Sequence, residues 1–171
     1  MKLTEDYKYK SIRKTAEVLA ELMDAAIPRD FGVGDEGAEG VSDGDVDGEV
    51  VVVPLPTAAK HVRERGFDHT ILLARELARR RGWKMKTLLV RANKTVQVGA
   101  DEKTRRKQAE GAYVIASRRG VDSDVRLDAT KTYLLIDDVW TTGASMEAAT
   151  KVIKKAGAVR VASAVILIPP E

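Results

Sequence analysis

Tyr133-Leu134-Leu135-Ile136-Asp137-Asp138-Val139-Trp140-Thr141-Thr142-Gly143-Ala144-Ser145 is the stretch on which the rest of the chain turns. It opens with an unbroken apolar run, bounded by polar Thr132. Such a run is what a strand needs when its parallel sheet is covered on both faces. Two adjacent carboxylates follow, then Val139-Trp140, then small and hydroxylated residues. From Ala144 to Lys155 the pattern is compatible with a helix. The turn therefore sits between the carboxyl end of a strand and the amino end of a helix, where open α/β sheets bind ligands.

The chemistry of the turn narrows the ligand. Thr141, Thr142, Gly143 and Ser145 offer hydroxyls and backbone N–H groups at the positive end of a helix dipole, which suits a phosphate. Gly143 leaves the approach clear and tolerates a left-handed turn. Asp137 and Asp138 would repel a phosphate placed on them. They suit vicinal hydroxyls one sugar ring away, or a hydrated divalent cation. Phosphate at the turn and diol at the carboxylates together describe a ribose 5-phosphate. The structural alternative is a Thr-capped turn beside two surface acids.

Working outward, 171 residues suffice for one domain with a sizeable core, and we read 1–171 as a single domain. The chain is 44% hydrophobic and 32% charged, the balance of a soluble globular protein. No apolar run approaches the ~20 residues of a membrane span, and Met1 to Asp6 lacks the apolar core of a signal peptide. Cytoplasmic residence is the expectation. With no cysteine, disulfides, Cys-ligated zinc and thiol catalysis are excluded. Residues 30–49 hold eight acids and no Lys or Arg. The other 18 acids face all 29 basic residues, a net of +11 that could meet a polyanionic small molecule or nucleic acid. Two Phe and two Trp give poor support to a base-stacking platform.

Residues 8–27 carry apolar positions at helical spacing (Ile12, Ala16, Leu19, Met23), with Ser11 or Thr4 as candidate caps and Pro28 as terminator. Residues 32–49, Gly-rich and acidic, read as a mobile surface loop. Gly32 to Gly37 spells G-x-G-x-x-G without the flanking strand and helix that a dinucleotide site needs. Asp43 to Gly48 matches half of a calcium loop, but its twelfth position is Pro54 rather than Glu.

Val50 to Val53 is a β-branched strand running into Pro54-Leu55-Pro56-Thr57, a rigid turn expected to hold an unusual peptide geometry. A cationic loop follows through Arg65. Then comes a helix capped by Asp68 and ended by Gly82. Met85 to Val90 reads as one strand, residues 91–110 as a basic stretch with a short helix from Asp101 to Glu110, and Ala112 to Ala116 as a strand. Val159 to Ile168 reads as a final buried strand. This order predicts an α/β fold with a mainly parallel sheet flanked by helices. His61 and His69 read as surface histidines, and Trp140 as packing beside the turn.

The quoted stretch resembles the phosphoribosyl pyrophosphate (PRPP) signature of type I phosphoribosyltransferases: apolar strand, two acids, two mostly apolar residues, Thr-Thr-Gly. The wider chain resembles the ComF-like branch of that family, named for a competence protein linked to DNA uptake. Val53-Pro54-Leu55-Pro56 is similar to its pyrophosphate-loop segment, and Arg65-Gly66-Phe67-Asp68-His69 to its Arg-Gly-Phe-Asn-Gln element, departing at Asp68 and His69. Thr95-Val96-Gln97, Arg105-Arg106-Lys107-Gln108 and Gly111-Ala112-Tyr113 resemble its mobile-loop segment, with Gln108 where Asn is usual and Tyr113 where Phe is usual. Many relatives carry a four-cysteine zinc module, for which this chain has no residues.

The resemblance implies a PRPP-binding α/β fold that works with Mg²⁺ and transfers ribose 5-phosphate from PRPP to a small-molecule acceptor. It implies Arg65, Arg105 and Arg106 as catalytic cations, and Pro54, Leu55 and Pro56 as the pyrophosphate loop. Asp137, Asp138, Thr141, Thr142, Gly143, Ala144 and Ser145 would bind PRPP, the two aspartates also holding Mg²⁺ through water. The alternative is a non-catalytic PRPP-binding regulator or a DNA-uptake accessory protein. No segment specifies the acceptor.

Overall fold

β6 (Thr132–Val139) lies inside a four-stranded, wholly parallel sheet of order β2-β1-β6-β7. The computed structural model describes residues 2–32, 49–92, 111–117, 120–121, 125–140 and 142–167. The elements are α1 (Lys2–Ala26), β1 (Val50–Pro54), α2 (Ala59–Arg65), α3 (His69–Arg81), β2 (Lys84–Met85), β3 (Leu89–Arg91), β4 (Tyr113–Ser117), β5 (Gly120–Val121), β6, α4 (Ala144–Lys155) and β7 (Arg160–Leu167). β3, β4 and β5 form a separate antiparallel sheet.

The apolar runs in β1 and β6 are unbroken because both faces of their sheet are covered. Val50, Val52, Leu134 and Ile136 pack with Ala20 and Met23 of α1 and Leu73 and Leu77 of α3. Their alternates, Val51, Val53, Tyr133 and Leu135, pack with Ala149 and Ile153 of α4 and with Leu89, Tyr113 and Ile115 of the small sheet. Leu134, Leu135 and Ile136 are at most 1% exposed. Burying each contributes about 1.5–3 kcal/mol.

A clamp that sequence periodicity does not reveal joins α1 to α3. Arg81 at the end of α3 bonds the Asp24 carboxylate and donates to the carbonyls of Asp24 (2.7 Å), Ile27 (2.6 Å) and Pro28 (3.0 Å). Its guanidinium also lies over the Trp83 ring. The carbonyls left free where α1 ends thus find donors on another helix.

Several expectations need correction. α1 begins at Lys2, so Thr4 and Ser11 lie within the helix and not at its start. The cationic loop contains a helix, α2, ended by Gly66 at φ +81 with its N–H on the Val62 carbonyl. Met85 to Val90 is not one strand. Lys86 N–H still reaches the Val52 carbonyl, but Leu88 N–H turns back on Lys86, and the chain leaves the parallel sheet for the antiparallel one. All described peptide bonds are trans, including those around Pro54 and Pro56. β7 is a half-buried edge strand, not a buried one, because it stands last in the sheet order. Glu49, counted with the acidic loop, is anchored by Lys84 (2.6 Å) and Lys131 (2.7 Å), which hold its carboxyl down at about 2. Residues 33–48 of that loop, and the helix expected from Asp101 to Glu110, lie outside the described residues. No described helix is long and apolar enough to cross a membrane.

Candidate functional site

Register creates the site. Pro54, the last residue of β1, pairs with Ile136, so β6 continues past its neighbour through Asp137, Asp138 and Val139. On the other side β7 stays in step, Asp137 opposite Val165 and Val139 opposite Leu167. The two acids therefore stand at an overhang at the carboxyl end of the sheet. Strand periodicity sends them to opposite faces. Asp138 follows Leu134 and Ile136 toward α1 and α3, and Asp137 follows Tyr133 and Leu135 toward α4.

On the α3 side, Asp68 caps the helix, accepting from the Thr70 and Ile71 N–H groups. The Thr57 hydroxyl donates to the same carboxylate at 3.0 Å and tethers the segment after β1 to the start of α3. This capping turn delivers His69 to the overhang. His69 Nε2 lies 2.7 Å from Asp138 Oδ2, and a guanidinium nitrogen of Arg65 lies 3.0 Å from His69 Nδ1. The hydrogen bond to Asp138 raises the His69 pKa, and burial opposes it. That same bond pulls the Asp138 carboxyl down to about 2. Asp137 behaves oppositely: burial pushes it up to about 6, although it accepts the Asp138 N–H at 2.9 Å. Two neighbouring acids are thus set to different protonation by their two environments.

On the α4 side, Gly143 precedes the helix at φ +71. A Cβ placed on it would stand 2.5 Å from Trp140 Cζ2, so the indole and this glycine fit only as a pair. Among the described residues the N-cap position, Gly143, makes no side-chain bond to α4, and the Ala144 N–H donates a long hydrogen bond to Thr142 Oγ1 at 3.4 Å. Thr142 and Ser145 are exposed. Glu147 is the acid of the first turn, and its carboxylate is held by Lys151 at 2.9 Å. A helix start whose glycine N-cap brings no side chain, flanked by exposed hydroxyls, suits an anion.

The other candidates divide. Pro54 and Leu55 are buried, and the Leu55 N–H is spent on the Ile136 carbonyl at 2.9 Å. Since neither proline has an N–H, Pro54-Leu55-Pro56 offers no free backbone donor. Arg91 holds the Pro56 carbonyl at 3.0 Å. Arg105, Arg106 and Thr141 lie outside the described residues. His61 is exposed beside Glu64 at 3.3 Å, a surface histidine as expected. His69 was missed. The signal was its place one residue after an N-cap, but its partner lies sixty-nine positions on, beyond the reach of periodicity. Among the described residues no three His, Cys, Asp or Glu side chains converge as a metal cage.

Comparison with known proteins bears on the same segment. Residues 69–171 match the family model described as phosphoribosyl transferase domain. No curated protein matches the chain significantly. Among solved structures it is similar to one described as the allosteric regulatory enzyme of purine biosynthesis (15% identity, 90% of this chain and 25% of that one, TM-score 0.49). It is also similar to hypoxanthine phosphoribosyltransferases from Staphylococcus aureus (10%, 92% and 65%, 0.44) and Trypanosoma cruzi (12%, 95% and 67%, 0.44). The chain spans less than two thirds of the first two of these structures. With a match over more than half its length, reaching from His69 through both acids and the α4 turn, the chain belongs to the phosphoribosyl transferase domain family.

Proposed function

We propose that the chain binds PRPP with Mg²⁺ and transfers its ribose 5-phosphate group to a small-molecule acceptor, releasing pyrophosphate. The observation that carries this reading is the overhang of Asp137 and Asp138 followed by the glycine-led start of α4. Thr141, Thr142, Gly143, Ala144 and Ser145 take the 5-phosphate, and the two acids take the ring hydroxyls. Asp138 stays ionised. Asp137, near 6, can accept a hydroxyl proton or donate its own. Arg65, Arg105 and Arg106 would serve as the cations that stabilise the leaving pyrophosphate. Pro54, Leu55 and Pro56 set the path of that loop, and residues 1–171 act as one domain.

Two adjacent carboxylates, with no third ligand converging on them among the described residues, fit Mg²⁺, which keeps most of its waters and is bound through one or two acids plus substrate oxygens. Bound there, it would neutralise charge on the leaving group. Within the family, the ComF-like branch is the finer reading, supported by the Arg65 to His69 and Thr95 to Tyr113 segments. A non-catalytic PRPP-binding role is the second reading. It is favoured by His69, whose bond to Asp138 would compete with Mg²⁺ for that carboxylate and so weaken leaving-group stabilisation, while the phosphate turn at α4 is left as it is. A DNA-uptake role would appear as salt-dependent binding of single-stranded DNA.

The test is calorimetry of ribose 5-phosphate and PRPP with Mg²⁺, followed by pyrophosphate release. Wild type binds, and Thr142→Ala loses about tenfold in affinity, the worth of one charge-assisted hydrogen bond. Absence of binding by wild type overturns the proposal. Binding without pyrophosphate release under any acceptor selects the regulatory reading.

A further inference from the structure

Beside the overhang, on the Asp138 side, lies a cavity of about 290 Å³ between the middle of α1, the start of α3 and the end of β7. Ile12, Ala16, Leu19, Phe67, Leu72 and Ile166 line it, together with Asp138 and His69. We propose that this cavity is the acceptor site, and that the acceptor is a mainly apolar, one- or two-ring molecule with a single nucleophilic nitrogen, not a purine or pyrimidine read by its polar edges. The inference rests on the PRPP reading above and names the substrate class for it.

Position is the first reason. A ribose with its 5-phosphate at α4 and its vicinal hydroxyls on the acids lies across the end of β6. Its anomeric carbon is one bond from the hydroxyl-bearing carbon at the carboxylates, and Asp138, one of those carboxylates, also lines the cavity, so the reacting carbon and the cavity adjoin.

Lining is the second. The described polar side chains of the lining are already engaged. Thr15 Oγ1 donates to the Ser11 carbonyl at 2.9 Å, and His69 and Asp138 hold each other. A nucleobase edge entering here would shed water and find few partners, at about 1–3 kcal/mol per unpaired group. An apolar ring loses nothing comparable. Size is the third reason, since an apolar cavity of about 150 Å³ holds benzene. The present volume accommodates one substituted ring or two fused ones.

The step balances simply. The acceptor nitrogen's lone pair forms the bond to the anomeric carbon, and the carbon–oxygen bond to pyrophosphate breaks. Pyrophosphate leaves with that electron pair, and the nitrogen's proton is released to solvent. No oxidant or reductant is needed.

The test uses 4-fluoroaniline as probe, followed by fluorine NMR and by shifts of the Ile12 and Ile166 methyls. Pyrophosphate release from PRPP with Mg²⁺ is measured in parallel, against adenine, hypoxanthine and uracil. The expected result is probe binding at those two methyls and at least tenfold faster pyrophosphate release with the probe than with the bases. Ala16→Leu and Ile12→Trp, on the half-exposed face of α1, should abolish both effects while ribose 5-phosphate affinity and melting temperature persist. Faster release with the bases, or probe effects that survive in whichever of the two variants folds, overturns the acceptor assignment and leaves the PRPP reading intact. Failure of wild type to bind ribose 5-phosphate overturns both.

Discussion

His69 Nε2 sits 2.7 Å from Asp138 Oδ2, and this contact ties the first turn of α3 to the overhanging end of β6. The imidazole pKa is raised, and the carboxyl is held near 2. A raised histidine stabilises the fold fully below its unfolded value of about 6.5, and the effect is lost as pH climbs through the folded value. A depressed aspartate stabilises above about 3.9 and loses the effect as pH falls toward its folded value. The pair therefore contributes most between about pH 4 and 6.5. Thermal melts of His69→Gln against wild type should differ most in that window and converge in alkali. A difference that does not vary with pH would mean the contact is packing alone.

Arg65 tunes the same histidine. Its charge lowers the His69 pKa against the pull of Asp138. Its N–H reaches Nδ1 only when that nitrogen has its lone pair. Arg65→Met should raise the His69 titration midpoint seen by NMR. An unchanged midpoint would show that the guanidinium stands away from the ring in solution.

Asp137 carries the opposite sign. Its folded value near 6 exceeds the unfolded value of about 3.9, so the folded state binds more protons between them and stability falls as pH rises through that range. Asp137→Asn keeps an acceptor for the Asp138 N–H and removes the buried charge. Its melting temperature should exceed wild type by a few degrees at pH 7.5, with the gain gone near pH 4, while ribose 5-phosphate affinity drops. A lower melting temperature at pH 7.5 would place a stabilising partner on that carboxylate.

Gly143 and Trp140 should be coupled. Gly143→Ala meets both the left-handed backbone, about 1–3 kcal/mol for a residue with a side chain, and the indole ring. In a Trp140→Ala background only the backbone cost remains. Urea denaturation of the double-mutant cycle should show a coupling above about 0.5 kcal/mol. Additive effects would mean that the ring does not bound the turn.

Arg81 has the largest expected structural effect. Its side chain is 7% exposed and its partner Asp24 15% exposed. Arg81→Met leaves a half-buried carboxylate and three carbonyls without these donors, at about 3–5 kcal/mol. Arg81→Lys should recover little, because one ammonium cannot reproduce the planar fork. Near-complete rescue by lysine, read from denaturation midpoints, would reduce the clamp to a point charge.

Much of the scaffold is legible in the sequence. Val50 to Val53 and Tyr133 to Ile136 are apolar without alternation, and only a sheet covered twice makes use of that. Asp68 and Gly82 bracket α3 because a short acceptor and a side-chain-free residue are what helix ends require. Less was legible where a local pattern has two outcomes. Lys84 to Arg91 could be one strand or two, and the turn at Lys86 to Leu88 is set by which sheet each half can pair with.

What the sequence by itself determined is the order of elements and the chemistry at the end of β6, because periodicity, caps and the acid–threonine–glycine spacing are local properties. What only the tertiary structure decided is which groups those acids meet. The register of β1 against β6 leaves Asp137 and Asp138 uncovered, and packing of α3 brings His69 onto one of them. The fold of the turn sets Trp140 against Gly143. The His69 contact joins residues far apart in the chain, and its distance follows from the sum of all packing in the core. No local pattern encodes that sum.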